Sequence, residues 1–355
     1  MTTFQQLTDL WLQHKIRSGR SPRTISAMQR TLHNDLWPAL GHLDVTTITP
    51  LDCLHCIQNI EQRGALAYAK RTRGWLTSIL DFGFALGMLT TNPAAGLAAA
   101  TTPPPKPTPY PHLGMDDIGP FLHTLRADTQ HTLTTQTCLW VGLYTAQRPN
   151  SLLLAEWSEM DLAKGLWCIP GEHMKSGEPL HCPLPSQALQ HLRTLHDQQS
   201  AHGYVFSGRG GHTTHLSRHA LGRCLHDLGY AGRYVPHGAR HQLSTLCHEF
   251  TWPESWIEMQ IGHVIPGSAG RYNKSQLLGQ RATMLQWHAD LLGMLEAGGP
   301  TPVQRQQLIQ RVVQARDTDP VTYADWAATS DAEPSPDTPP TAGRKRTFAP
   351  WRHSG

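Results

Sequence analysis

The stretch Thr101-Thr-Pro-Pro-Pro-Lys-Pro-Thr-Pro-Tyr-Pro111 decides how this chain divides. Six prolines in eleven residues fix φ and remove backbone donors, so the stretch neither continues a helix nor pairs as a strand and reads as an extended linker. Upstream, residues 1–98 read as helix after helix. Phe4, Leu7, Leu10, Trp11 and Ile16 recur at helical spacing, Ser21-Pro22 has the form of an N-cap followed by proline at the first helical position, and Thr24 to Leu36 continues the amphipathic pattern. A third segment starts at Thr49-Pro50, and a fourth runs from about Ala67 to Leu89 before Asn92-Pro93. Downstream, helical patterns over 113–296 surround one β-like piece: Leu166-Trp-Cys-Ile-Pro, a turn at Lys175-Ser-Gly-Glu, then Leu180-His-Cys-Pro-Leu, together a hairpin. The expected fold class is therefore mainly α with a small β-sheet: a helical bundle over 1–98, a linker over 99–112 and an α+β domain over 113–296. Residues 297–355 are expected to be a polar tail. A short helix from Pro302 to Ala315 there gives way to Asp331-Ala-Glu-Pro-Ser-Pro-Asp and Arg344-Lys-Arg, too poor in apolar surface to fold.

The 355 residues are enough for two domains, and 30 Lys+Arg against 27 Asp+Glu give a formal charge of only +3. Any basic surface must be local. Residues 1–98 carry nine Lys+Arg against six acids, with Lys70, Arg71 and Arg73 clustered at the start of the fourth helix. No run approaches the roughly 18 to 20 apolar residues of a membrane span, and the N-terminus is polar, so a cytoplasmic location is expected. Seven cysteines form no disulfide framework and suit a reducing compartment. Cys53-Leu-His-Cys56 has no second pair at zinc spacing and reads as structural. The 22 histidines show no HExxH pattern, so no metal site is expected.

Chemistry concentrates in the second domain. Arg148 sits where a loop turns into the apolar run Leu152-Leu-Leu-Ala-Glu-Trp, and Lys175 lies at the hairpin tip. His237-Gly-Ala-Arg240 opens a helix with His and Arg on one face, and His263 and Tyr272 follow nine residues apart. Taken singly, each is an ordinary helix-start, turn or half-buried residue. Two Arg, two His, one Lys and a Tyr without a matched carboxylate make a poor metal or general-base site and a good anion site. A phosphodiester fits. A tyrosine phenol becomes a nucleophile once a nearby His takes its proton, and Lys can protonate the departing oxygen, so the chemistry needs no metal.

Thr145-Ala-Gln-Arg148-Pro, Met174-Lys175, Pro236-His237-Gly-Ala-Arg240 with Ser244-Thr-Leu, and Ile261-Gly-His263 followed by Arg271-Tyr272-Asn resemble the catalytic boxes of tyrosine recombinases in order and spacing. Trp252-Pro-Glu-Ser-Trp256, Gln286-Trp-His-Ala-Asp and Glu156-Trp-Ser-Glu-Met-Asp-Leu further resemble phage and satellite-prophage integrases. The resemblance covers residues 1 to about 292, with the N-terminal bundle similar to the core-binding domain of that family. It implies a site-specific DNA recombinase that integrates or excises a prophage or mobile element. Tyr272 would cut a strand to leave a 3′-phosphotyrosine and a free 5′-hydroxyl. Arg148 and Arg240 would clamp the phosphate, Lys175 would act as general acid, His237 as acid/base, and His263 as a hydrogen-bond donor to the phosphate. The resemblance implies no metal or nucleotide cofactor, a homo-tetramer over two duplex DNA sites, and accessory DNA-bending or directionality proteins as further partners. The two domains would close on the duplex as a clamp, with Lys70, Arg71 and Arg73 on phosphates.

Two departures stand out. Ser151 replaces the acidic residue usual three positions after the first arginine, and the chain opens directly at the core-binding bundle, without the arm-binding domain common in satellite-prophage integrases. One alternative reading is a weakened recombinase that acts as a sequence-specific DNA-binding factor. Another is a type IB topoisomerase or relaxase, which shares the phosphotyrosine chemistry.

Overall fold

A computed structural model describes residues 1–106, 110–199, 203–263 and 276–317, with the side chain of His212 outside that description. The chain separates into two compact units, Met1–Thr108 and Pro109–Gly355.

The first unit is helical throughout. Helix α1 (Phe4–Arg17) starts on a capping box in which Thr3 and Gln6 satisfy each other's backbone N–H. Helix α2 (Pro22–Thr31) is capped by Ser21 with Pro22 at its first turn, as the sequence predicts. It does not stop at Leu36 but passes through one π-type turn (Leu32–Leu36) into α3 (Trp37–Leu40), which keeps Leu32, Leu36 and Leu40 in the core. Helix α4 (Pro50–Gln62) has a second capping box, Thr49 with Asp52. Helix α5 (Leu66–Ala85) ends short of the expected Leu89. Gly87 takes φ +71° and Met88 N–H donates back to Gly83 O at 3.0 Å, a closure that stops the helix wherever a left-handed residue can follow it. Phe4, Leu7, Trp11, Ile57, Leu76 and Leu80 fill the middle. Cys53 and Cys56 are buried among them, and burial pushes their thiols up to about 12 and about 11, which makes them inert packing residues.

The second unit wraps helices around α7 (Leu133–Thr145) and α13 (Leu278–Glu296), both largely buried and apolar on nearly every face. Around them lie α6 (Met115–Arg126), α8 (Pro149–Leu153), α9 (Ser186–Gln198), α10 (Arg218–Asp227), α11 (Gly238–Glu249) and α12 (Glu254–Gln260). The expected hairpin is present as β2 (Leu166–Ile169) antiparallel to β3 (Leu180–Pro183), with Leu166 opposite Pro183 and Ile169 opposite Leu180. A short β1 (Met160–Asp161) widens it to three strands. A second pair, β4 (Ser207–Gly208) and β5 (Gly211–His215), carries no clear period-two signal in the sequence.

Two features stand at the edges of the expected domains. The linker is anchored at its ends. Thr102 donates its N–H to Glu61, while at the other end Tyr110 packs on His237 with ring centroids 4.4 Å apart and His112 packs on His241. The second unit also does not end at residue 296. Helix α14 (Pro302–Asp317) buries Leu308 and Val312 against the core, Trp287 Nε1–H donates to Leu308 O at 3.2 Å, and Arg311 pairs with Asp290 at 2.8 Å. Leu308 and Val312, one turn apart, form the buried stripe that docks the helix, while Val303, Ile309 and Val313 stay exposed. The rest of the predicted tail, with Arg344-Lys-Arg, lies outside the described residues.

Candidate active site

Arg148 and Arg240 arrive from different elements and meet at one helix end. Arg148 is the N-cap of α8, placed by Pro149 at the first helical position, and both its Nη atoms donate to Gly262 O at 3.1 Å. Arg240, on the first turn of α11 and only 5% exposed, donates from Nη1 to Ala146 O at 3.0 Å and from Nη2 to Ile261 O. Ile261 and Gly262 follow the last residue of α12, where helix carbonyls lack intrahelical partners and carry partial negative charge. The arginines are thus held by neutral carbonyls, and their positive charge is left available to an incoming anion. Burial holds both guanidinium groups below their usual range; Arg240 falls to about 9, pressed further by Arg148 beside it. Two backbone positions make the arrangement possible. Ala146 takes φ +51° at the end of α7, uncommon for a residue with a Cβ, and its carbonyl meets Arg240. Gly262 takes φ +61°, and a Cβ there would stand 2.8 Å from Met174 Cε and 3.2 Å from Arg148 Nη1.

His263 follows at once. Its Nδ1 lies 2.7 Å from Glu258 Oε2, and its Nε2 is 3.4 Å from Arg240 Nη2. His237, the N-cap of α11, is pushed down to about 4, first by burial and then by the positive charges of Arg240, His241, Arg148 and Arg218. It is therefore a neutral imidazole at neutral pH, able to take a proton. Lys175 is exposed in the turn between β2 and β3, directly after Met174, whose side chain reaches Gly262. Tyr272 lies outside the described residues, between His263 and Gln276. The structure thus brings together Arg148, Arg240, His237 and His263, and puts Lys175 one residue from a side chain that touches the cluster.

Residues 4–100 match the phage integrase central domain and residues 113–277 the phage integrase family. The integrase of Shigella phage Sf6 is 30% identical over 293 residues, 82% of this chain and 75% of that integrase. The chain belongs to the phage integrase family of tyrosine recombinases. Its fold is shared with a lambda integrase (75–356) dimer bound to a core site (TM-score 0.58, 18% identity, 74% of this chain and 95% of that one). It is shared equally with a lambda integrase tetramer bound to a Holliday junction (TM-score 0.59, 18% identity, 78% of each). This protein is a site-specific DNA recombinase.

Behind the recombinase's arginine pair lies a polar layer that sequence reasoning missed. Gln147, 1% exposed, donates to Gln260 O at 2.8 Å, and Gln260 donates to Thr145 O at 2.7 Å. Arg281 of α13, fully buried, spreads its donors over Gln276 O (2.7 Å), Gln260 Oε1 (3.0 Å) and His181 O (2.6 Å). This layer ties β3, α12 and the chain just after Tyr272 to the turn that carries Arg148. The available signal was a charge inside an apolar helix pattern, the usual mark of a buried, fully bonded polar group. Ser151 is buried and donates to His173 O at 2.8 Å, two residues before Lys175, so it braces the hairpin.

In the first unit, Lys70 and Arg71 are exposed on α5, and Arg71 lies 5.1 Å from the ring centroids of both Tyr68 and Trp75. Arg73 is half-buried and donates to Thr101 Oγ1. Elsewhere Asp128, His131 and Cys224 place possible metal-ligand atoms within 4.8 Å of one another. The Asp128 carboxylate already accepts from Gln130 N, His131 N, His131 Nδ1 and Gln136 Nε2, and reads as the brace of the loop before α7. Among the described residues, no helix is long and apolar enough to cross a membrane.

Proposed function

We propose that this recombinase cuts and rejoins duplex DNA in the cytoplasm through Tyr272, acting as a homo-tetramer on two attachment-type sites to integrate or excise a mobile element. Arg148 and Arg240 hold the scissile phosphate bidentately and stabilise the charge that builds on its oxygens. Neutral His237 takes the phenolic proton as the Tyr272 oxygen bonds to phosphorus. The bond to the 5′ oxygen breaks, and Lys175 gives that oxygen a proton, leaving a 3′-phosphotyrosine and a 5′-hydroxyl. His263 donates to a non-bridging oxygen. Rejoining reverses each transfer with a hydroxyl from the partner strand. One observation carries the reading: two guanidinium groups from different elements converge on the uncharged carbonyl end of α12, where their hydrogen-bond partners are backbone carbonyls rather than carboxylates.

The relatives include phage and prophage integrases, and the solved neighbours include lambda integrase, tetrameric on a Holliday junction in one structure, and the Tn1549 transposon integrase on DNA, which supports DNA as substrate and the tetramer as working form. Lys70, Arg71 and Arg73 on α5 are proposed to contact DNA phosphates, with accessory bending or directionality proteins as further partners. The test is a nicked suicide substrate carrying the element's own junction, incubated in EDTA with the wild type and Tyr272→Phe. A covalent adduct that disappears in the variant is expected. Specific binding without any adduct would instead assign the protein as a DNA-binding factor.

A further inference from the structure

We infer that Glu258 is a positioning residue for His263, holding the imidazole so that its Nε2 edge, and no other, is offered to the phosphate. The inference rests on the recombinase reading of the site. Glu258 is on α12, and its Oε2 lies 2.7 Å from His263 Nδ1. A carboxylate at that distance fixes which ring nitrogen carries the hydrogen: Nδ1–H donates to Glu258, and Nε2 is left bare. Nε2 points at Arg240 Nη2, 3.4 Å away, in the same cluster that Arg148 closes through Gly262 O. With Nδ1 held on Glu258, the Nε2 edge has one direction to face, toward an anion on the arginine pair, among Arg240 on α11, Arg148 at the start of α8 and neutral His237 at the head of α11.

This gives the departure at Ser151 a physical sequel. The position three residues after the first arginine, where the resemblance implies an acid, holds a serine engaged with the hairpin, whereas Glu258 brings a carboxylate to the arginine cluster from α12. Glu258 and His263 keep side-chain exposures of 32% and 49%, so variants at either position disturb no packed core.

Two measurements test the assignment. In the nitrogen NMR spectrum of the ring, the Nδ1–H tautomer of His263 is expected in the wild type and in Glu258→Gln, whose amide oxygen still accepts, and is expected to be lost in Glu258→Ala. A wild-type ring protonated mainly at Nε2 when neutral would overturn the inference. In single-turnover cleavage of the suicide substrate, Glu258→Ala is expected to slow the step roughly tenfold with DNA affinity unchanged, and Glu258→Gln to recover part of that loss. In a His263→Ala background the Glu258→Ala change is expected to cost nothing further. An equal loss in both backgrounds would show that Glu258 acts through the fold and would defeat the proposal. Failure of the wild type to form any adduct would count against the recombinase reading, and the ring spectrum would then judge the Glu258–His263 pairing by itself.

Discussion

His288 lies wholly inside α13, 1% exposed, with Nε2–H donating to Leu143 O at 3.2 Å, and burial pushes it down to about 4. Its ordinary value of 6.5 returns on unfolding, so between pH 6.5 and 4 the unfolded chain binds the extra proton and the folded state loses ground as pH falls. The contribution is complete above pH 6.5 and shrinks by about 2 kcal/mol by pH 5. His191 and His237 are each pushed down to about 4 and tilt stability the same way. Urea titrations at pH 7 and pH 5 should therefore show a marked acid loss in the wild type and a smaller one in His288→Leu; equal losses would show that His288 is not the group responsible. The same direction of shift acts on His237, where burial first and the surrounding positive charge second keep the imidazole unprotonated at neutral pH. Neither histidine announces this in the sequence. The chain has 22 of them, and only burial and neighbours separate a core histidine from a proton acceptor.

Among the elements, α14 shows most directly how packing overrides composition. Its sixteen residues are mostly polar, yet Leu308 has no exposure and its carbonyl accepts from Trp287 Nε1. Leu308→Ala should cost about 2–4 kcal/mol of stability by denaturant titration, and a loss under about 0.5 kcal/mol would mean the helix is not docked in solution. The hairpin β2–β3 was legible because two short apolar runs flank a turn that contains glycine; β1 and β4 were not, being two residues each, nor was β5, whose Gly-His-Thr-Thr-His has no apolar residue to mark a buried face. Helix α12 was legible as a segment, but its role at the site was not. What matters there is the carbonyl end at Ile261 and Gly262, and backbone acceptors have no sequence signature.

For the molecule as a whole, a formal charge of +3 gives no general attraction for DNA, so binding must come from local cations. Lys70→Ala should weaken binding about equally for specific and random duplexes and lower the slope of log affinity against log salt by about one. Retention of the full wild-type slope would remove Lys70 from the interface. Arg71 and Arg73 differ from it, one resting on Tyr68 and Trp75, the other bonded to Thr101, so their replacement should also disturb the packing of the first unit. The sequence alone determined the helical first unit and the hairpin, and it singled out Arg148, Lys175, His237, Arg240, His263 and Tyr272 as candidates, because proline chemistry, periodicity and motif spacing are local properties of a chain. Tertiary structure alone decided that both arginines share the α12 carbonyl end, that Glu258 holds His263, and that Gln147, Gln260 and Arg281 brace the layer behind them. Those contacts join residues 21 to 115 positions apart, or turn on the direction of one ring, and desolvation and geometry at that range appear only when the core closes.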